Sequence, residues 1–332
     1  MKGIVIGDLH LGKMKWLPDS VQKQMDEVEK AIVWADDEGI DFVVFLGDVS
    51  EKEIMGYDEH IHLIKFLTKW HDKEFHIILG NHDMNRIPKS GEYNHSLRVI
   101  KEFNLPNVTI WDKPGFLKYD DVCFNFLPFP HREQVEYTDL PTINFAHVEV
   151  KGALYDNGMT ISDGKLTGDP NSNWIIGHLH NKQKRGNVWY PGTLYQTNFQ
   201  ESLSKGWCCF NADEDGIGID WIKNTDCSFQ LKVLKVESLS DLETIVNSDE
   251  TDIWKIVLNQ DMVLPSKFLV EHSSKIWGVV GQKKTNRSFG KVDMQYSFSP
   301  LDGLSGWFKK ENRSKEDFVV GKKLVQDALS GM

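Results

Sequence analysis

Short apolar runs alternate with longer amphipathic segments in the first part of the chain. The runs Gly3–Gly7, Asp41–Gly47 and Phe75–Leu79 are largely apolar, which predicts short buried strands. Between them, Asp19–Asp37 and Tyr57–His71 place apolar side chains at three- and four-residue steps, the spacing of a helix that packs by one face. Strands that alternate with helices predict βαβ units and a mainly parallel sheet.

Beyond residue 107 the pattern changes to strands joined by turns. The segments that have this pattern are Val108–Trp111, Phe116–Tyr119, Val122–Leu127, Thr142–Ala146, Trp174–Ile176, Val188–Tyr190, Trp207–Phe210 and Ile217–Ile222. Two layers of sheet with helices outside would accommodate so many strands.

The last third of the chain predicts a smaller unit. Phe229–Val236 alternates as a strand does, Asp241–Asn247 reads as a short helix, and Trp254–Leu258 reads as a strand. We therefore expect a first domain over residues 1–225, a small α+β domain over 229–300 and a C-terminal segment over 301–332. Within that segment, Ser314–Leu329 predicts a helix with Ser314 as its cap.

Charge is distributed unevenly along the 332 residues. Residues 1–228 hold 23 basic and 35 acidic side chains, residues 229–332 hold 15 and 14, and the net charge of the chain is −11. An acidic balance argues against general affinity for nucleic acids, because Lys and Arg contacts to phosphate dominate that affinity. The excess of acidic side chains in residues 1–228 favours a cation site with carboxylate ligands in that part of the chain.

The composition is that of ordinary folded domains, with 40% hydrophobic and 26% charged residues. The four cysteines form no C-x-x-C pair, so we expect reduced thiols. The first residues are too charged and too briefly apolar for a signal peptide, and no run of about 18 apolar residues occurs. These features predict a cytoplasmic protein without a membrane span.

Five polar clusters each follow an apolar strand. They are Gly7-Asp8-Leu9-His10, Gly47-Asp48, Gly80-Asn81-His82-Asp83, Ala146-His147 and Gly177-His178-Leu179-His180. Their glycines allow sharp turns, and their polar side chains project at the carboxyl ends of strands, where open α/β sheets bind ligands. Most of these clusters, taken alone, are more often an ordinary turn or a satisfied polar pair than a site, but the full ordered set indicates one functional centre.

The donor types in these clusters point to metal chemistry. Imidazole, carboxylate and amide donors without a thiolate suit Mn, Fe or Zn. Seven candidate ligands are too many for one ion, but they suit two ions about 3.5–4 Å apart that share one carboxylate. Such a pair is typical of in-line displacement at phosphorus.

The order D-x-H, GD, GNH[DE], lone H and GHxH resembles the calcineurin-like metallophosphoesterase superfamily over residues 3–222. The stretch Tyr190–Leu194, Phe199–Glu201 and Lys205–Trp207 is similar to one in the SbcD-type DNA repair nucleases. That group includes the MRE-eleven nucleases and the small subunit of phage recombination endonucleases. The resemblance implies an α/β fold, with a two-layer β-sandwich flanked by helices, a small α+β capping domain and a C-terminal helical tail.

The resemblance also implies a role for each residue of the centre. One Mn²⁺ would be held by Asp8, His10 and His180, and a second by Asn81, His147 and His178. Asp48 would bridge the two ions, with Mg²⁺ a less supported alternative to Mn²⁺. His82 would contact the scissile phosphate and assist the leaving oxygen, and Asp83 would orient His82.

The activity implied by the family is 3′–5′ exonuclease action on duplex DNA and endonuclease action on single strands. Its members form homodimers and bind an SbcC-type coiled-coil ATPase, here expected through the C-terminal segment. Candidate contacts to the DNA backbone are Lys283, Lys284, Arg287, Lys291, Arg86 and Lys89.

Two other functions remain open on the sequence. A nucleotide or small-molecule phosphodiesterase would use the same core without the second domain or the tail. A non-catalytic DNA tether would be expected to lack a ligand, whereas all seven ligands and His82 are present.

Overall fold

A computed structural model describes residues 1–84, 94–119, 121–259 and 262–281. The chain divides into two compact units, Met1–Gln230 and a second that begins at Leu231. The strands are β1 (Lys2–Ile6), β2 (Phe42–Phe45), β3 (Glu74–Ile78), β4 (Val108–Trp111), β5 (Gly115–Lys118), β6 (Cys123–Leu127), β7 (Thr142–His147), β8 (Asn173–Gly177), β9 (Gln183–Arg185), β10 (Val188–Tyr190), β11 (Gly206–Asp213), β12 (Gly216–Lys223), β13 (Gln230–Val236), β14 (Asp252–Leu258) and β15 (Ile276–Gly281). The helices are α1 (Ser20–Asp37), α2 (Tyr57–Lys69), α3 (Arg98–Phe103), α4 (Glu243–Val246) and α5 (Ser266–Glu271), with a 3₁₀ turn over Leu239–Leu242.

Two six-stranded sheets form the first unit in the described part of the chain. Their orders are β12-β11-β1-β2-β3-β4 and β5-β6-β7-β8-β10-β9. In the first sheet β1 to β4 are parallel and β11 pairs antiparallel with β1; in the second, β6, β7, β8 and β10 are parallel. The carboxyl ends of β1, β2 and β3 therefore meet at one edge, as do those of β7 and β8.

The two sheets pack face to face through aromatic side chains. Phe42 of β2 lies 5.1 Å from Phe124 of β6 between ring centroids, and Trp111 stacks on Phe126 at 4.4 Å. Phe210 of β11 completes this core, in which the phenylalanines are buried and Trp111 is partly buried. Burial of each such side chain contributes about 1.5–3 kcal/mol, so the interface is a main source of stability.

Helices α1 and α2 cover the other face of the first sheet. Phe66 of α2 packs on Phe75 of β3 at 5.8 Å, and Trp34 of α1 packs on Trp207 of β11 at 5.7 Å. Both faces of β1, β2 and β3 are thus buried, which explains why their sequences are apolar without alternation. The predicted mixed α/β sandwich flanked by helices is confirmed.

Some short elements carry no clear sequence pattern. Helix α5 has no buried residue, and α3 buries only Ile100, so neither shows an apolar stripe. Strands β9 and β15 were also not predicted. By contrast, α1 and α2 were predicted to within a few residues at each end.

The second unit contains a three-stranded sheet, in the order β13-β14-β15, with β14 and β15 parallel. Its core includes Trp254, Ile256 and Ile245. Residues 282–300 of the predicted small domain and the segment 301–332, with its predicted helix Ser314–Leu329, lie outside the described residues. Among the described residues, no helix is both long and apolar enough to cross a membrane.

Candidate metal centre

The candidate ligands meet at the edge where the two sheets present the carboxyl ends of parallel strands. The first sheet supplies Asp8 and His10 after β1, Asp48 after β2, and Asn81 after β3. The second sheet supplies His147 at the end of β7, then His178 and His180 after β8. Residues spread over 173 positions of sequence are thereby brought into two adjacent groups.

The first group consists of Asp8, His10 and His180. Nε2 of His10 lies 3.0 Å from Nε2 of His180. The same His180 nitrogen lies 3.7 Å from Oδ2 of Asp8. The ligand atoms of these three residues lie within 4.8 Å of one another, close enough to share one ion.

The second group combines Asp48, His147 and His178 with the side-chain oxygen of Asn81. Oδ1 of Asn81 lies 3.1 Å from Nε2 of His147 and 2.8 Å from Nδ1 of His178. Nε2 of His147 lies 3.3 Å from Oδ2 of Asp48.

Asp48 stands between the two groups. Its Oδ2 lies 3.3 Å from Nε2 of His147 and 3.8 Å from Nε2 of His10. Its other oxygen, Oδ1, accepts a hydrogen bond from the backbone N–H of His82 at 2.8 Å. One carboxylate oxygen is therefore within reach of both groups.

These distances fit two divalent ions. Ligands that bind one ion at about 2.0–2.2 Å lie roughly 3.0–3.5 Å from one another. Nε2 of His10 and Nε2 of His180 are 3.0 Å apart. Their lone pairs would repel each other at this distance unless a proton or a cation lay between them. The mixture of imidazole, carboxylate and amide donors suits borderline ions such as Mn²⁺, Fe²⁺ or Zn²⁺.

The electrostatic field at the centre favours a cation. Burial by itself lowers the pKa of His147, but Asp48 and Asp8 outweigh it and raise that pKa to about 9. Burial raises the pKa of Asp48, but His147 and His10 more than offset it and hold that pKa below its usual range. Burial lowers the pKa of both His10 and His178, so each imidazole stays neutral at pH 7 and can offer a lone pair.

The backbone at three candidate ligands adopts the left-handed region that non-glycine residues rarely occupy. In the described part of the chain, φ is 47° at His10, 48° at Asp48 and 91° at His178. Neighbouring groups hold this strain: the N–H of His10 donates to the carbonyl of Asp48 at 2.8 Å, and Nε2 of Gln24 donates to the carbonyl of His10 at 3.0 Å. Such strain persists where the surrounding structure over-determines it, which is common at functional sites.

Gly80 is required by a close approach of two loops. A Cβ at this position would lie 2.1 Å from Oδ1 of Asp48 and 2.3 Å from the Asp48 nitrogen. We expect Gly80→Ala to lower the free energy of unfolding of the metal-free protein by about 1–3 kcal/mol, measured by urea denaturation. The control is Gly218→Ala in β12, where the nearest atom is 3.9 Å away. Equal unfolding midpoints for the two variants would contradict this account.

His82 lies beside the ligands without belonging to either group. Its Nδ1 bonds to the carbonyl of Glu51 at 2.9 Å, which leaves Nε2 as the ring nitrogen available to a substrate. The half-buried ring lines a cavity of about 350 Å³ with Glu51, Lys52, Glu53, Asn81 and Met84. Its centroid is 4.8 Å from that of His10.

The prediction that Asp83 orients His82 is wrong. The carboxylate of Asp83 is fully buried and accepts hydrogen bonds from the backbone N–H groups of Gly80, Val49 and Ser50 and from the Ser96 hydroxyl. The Glu51 carbonyl, three residues beyond Asp48, takes the place that Asp83 was expected to fill. Burial, together with Asp48, raises the pKa of Asp83 to about 6. Asp83 therefore stabilises the loop that carries Asp48 through these hydrogen bonds.

Three glutamates beside the ligand histidines were missed from the sequence. Oε1 of Glu149 lies 3.0 Å from Nε2 of His178, and Oε1 of Glu201 lies 2.9 Å from Nδ1 of His180. Oε2 of Glu51 lies 2.9 Å from Nδ1 of His10, although those atoms do not align as a hydrogen bond. Carboxylates in this position fix the ring orientation of a ligand and raise its basicity. The close spacings His147-x-Glu149 and Asp48-x-x-Glu51 were available as signals.

The residues predicted to contact the DNA backbone all lie outside the described residues: Arg86, Lys89, Lys283, Lys284, Arg287 and Lys291. Their role stays a prediction.

Fold and site together define a dinuclear metallohydrolase, with imidazole, carboxylate and amide ligands at the seam of a two-layer sandwich. The sequence profile of the Calcineurin-like phosphoesterase family matches residues 1–210. The chain belongs to this family and is a metal-dependent phosphoesterase. No curated protein matches the chain.

Proposed function

We propose that the protein is a manganese-dependent DNA nuclease that hydrolyses phosphodiester bonds in recombination or repair. The observation that carries the hydrolytic part is the pair of ligand groups that share Asp48 beside the cavity lined by His82. The family supports phosphoester hydrolysis with divalent ions.

Each residue at the centre has a role in this proposal. Asp8, His10 and His180 would hold one ion, Asn81, His147 and His178 the other, and Asp48 both. When bound, the ions supply Lewis acidity that neutralises phosphate charge and lowers the pKa of a water. With its Nδ1–H donated to the Glu51 carbonyl, the doubly protonated ring of His82 would donate its second proton, from Nε2, to the leaving oxygen.

The choice of DNA rests on the stretch that resembles the SbcD-type nucleases. Two of its residues reach the centre: Glu201 contacts His180, and Lys205 bonds to Glu201. A third residue of the stretch, Gly192, packs against the loop after β1. A Cβ added at Gly7 would lie 2.0 Å from the carbonyl oxygen of Gly192. A stretch tied so closely to the metal loops supports a shared activity with those nucleases.

The proposal includes partners. We propose a homodimer that works with an SbcC-type coiled-coil ATPase bound through segment 301–332. An amphipathic helix such as the predicted Ser314–Leu329 is a standard element for docking in a partner's groove. This segment lies outside the described residues, so pull-down with the ATPase is the relevant test.

Cleavage of an end-labelled linear duplex tests the function. We expect degradation in Mn²⁺ and none in EDTA, because chelation removes the ions that the seven ligands would hold. An identically prepared Asp48→Ala protein controls for contaminating nucleases. A chromogenic phosphodiester ester is assayed beside the duplex. Ester hydrolysis with intact DNA, unchanged after addition of the ATPase, would reject the nuclease and favour the small-molecule phosphodiesterase.

A further inference from the structure

Two charged side chains are buried next to the ligand His180. Glu201 is 5% exposed and Lys205 is 2% exposed. Burial of an ion pair costs several kcal/mol per ion before hydrogen bonds offset it, so a contribution to stability does not by itself explain the pair. Glu201 contacts the ring of His180, but its pairing with Lys205 has so far been given no role.

The carboxylate of Glu201 is saturated with donors. Its Oε1 lies 2.9 Å from Nδ1 of His180 and accepts from Oγ1 of Thr197 at 2.5 Å and Nδ2 of Asn198 at 2.7 Å. Its Oε2 accepts from Nζ of Lys205 at 2.6 Å and from the backbone N–H of Thr197 at 3.0 Å. The carboxylate therefore has one available position and cannot swing away from His180.

Lys205 contacts the backbone of the same histidine. Its Nζ donates to the carbonyl of His180 at 2.9 Å, to Oγ1 of Thr193 at 2.8 Å and to Glu201. Each proton of the amine thus has an acceptor. His180 is held at its ring by Glu201 and at its backbone by Lys205.

We propose that the Glu201–Lys205 pair is a positioning device that aims Nε2 of His180 at the ion held with Asp8 and His10, and sets the affinity of that ion alone. A proton kept on Nδ1 by the carboxylate leaves the lone pair on Nε2, which is 3.0 Å from the His10 nitrogen. The inference rests on the two-ion centre proposed above.

Glu149 provides a matched comparison at the other ion. It contacts the outer nitrogen of His178 as Glu201 contacts that of His180, but its side chain is 33% exposed. No lysine is paired with Glu149 in the described part of the chain. Substitution at Glu149 should therefore affect the second ion, and by a smaller factor.

Calorimetric titration of the metal-free full chain with MnCl₂ tests the proposal. We expect two ions in the wild type, and in Glu201→Gln a loss of about 10–100-fold in affinity for one of them with the other unchanged. Anomalous scattering from Mn²⁺ in crystals should place the weakened ion at Asp8, His10 and His180. Glu149→Gln should weaken the opposite ion. Unchanged affinity at both positions, or equal loss at both, would overturn the proposal.

A second variant separates misfolding from loss of the Glu201 contact, and the wild type tests the centre itself. If Glu201→Gln fails to fold, as judged by unfolding of the metal-free protein, the charge-free pair Glu201→Gln with Lys205→Met is titrated under the same criteria. A wild-type chain that binds no Mn²⁺ would reject the two-ion centre itself and this inference with it. A wild type that binds two ions but leaves DNA intact would reject only the nuclease, and the Glu201 comparison would stand.

Discussion

Replacement of His82 by alanine is expected to lower the rate of phosphodiester cleavage by about 10²–10⁴-fold while both ions remain bound. The ring lines the cavity beside the ligands, and one of its nitrogens lies within 4.8 Å of ligand atoms of His10 and Glu51, but His82 is not a member of either of the two groups described above. Its loss removes a proton donor and leaves every candidate ligand in place. The cleavage rate is measured with the chromogenic ester or the duplex, and ion content by calorimetry with MnCl₂.

His62→Ala is the control for this substitution, because His62 lies on α2 and bonds through Nδ1 to the carbonyl of Asp58. Its activity and ion content should equal those of the wild type. Cleavage by His82→Ala at the normal rate would remove His82 from the mechanism. Loss of an ion in the same variant would make His82 a ligand and change the assignment of the two groups.

The second large effect is expected at Asp48. Asp48→Ala should weaken both ions together by more than about 100-fold each and abolish cleavage, because a single oxygen of this carboxylate reaches both groups. The variant should also lower the pKa of His147, because Asp48 raises that pKa more than Asp8 does. Calorimetry with MnCl₂ and anomalous scattering report the two positions separately.

Asp8→Ala is the matched comparison, since Asp8 belongs to the first group only. It should release the ion held with His10 and His180 and retain the other. Selective loss of one ion in Asp48→Ala would argue against a bridge. Loss of both ions in Asp8→Ala would mean that the two positions fill cooperatively.

The location of the centre was predictable because it depends on local signals. Apolar runs without alternation identified β1, β2 and β3, and a polar residue after a glycine marked the end of each run. Parallel strands place their carboxyl ends at a common edge, so ligands such as Asp8, Asp48 and Asn81 had to lie close together. No knowledge of the packing between the sheets was required for this step.

The surroundings of the ligands were not predictable in the same way. Glu201 reaches His180 across 21 positions, and the Glu51 carbonyl reaches His82 across 31. Such contacts depend on how loops cross above the sheet, and no periodic pattern encodes that crossing. The wrong role for Asp83 has the same origin: adjacency in sequence suggested a contact with His82, whereas the turn directs the carboxylate toward Gly80 and Ser50.

The position of β11 in the first sheet bears on the order of events during synthesis. This strand pairs antiparallel with β1, joining Lys2 to Asn211 and Val5 to Cys208. A nascent chain that has just passed His180 contains every candidate ligand, yet one side of β1 still lacks its neighbour. The ribosome must continue to Asp213 before that strand is available. We therefore expect a product truncated after His180 to carry all seven donors without the complete sheet that presents Asp8 and His10.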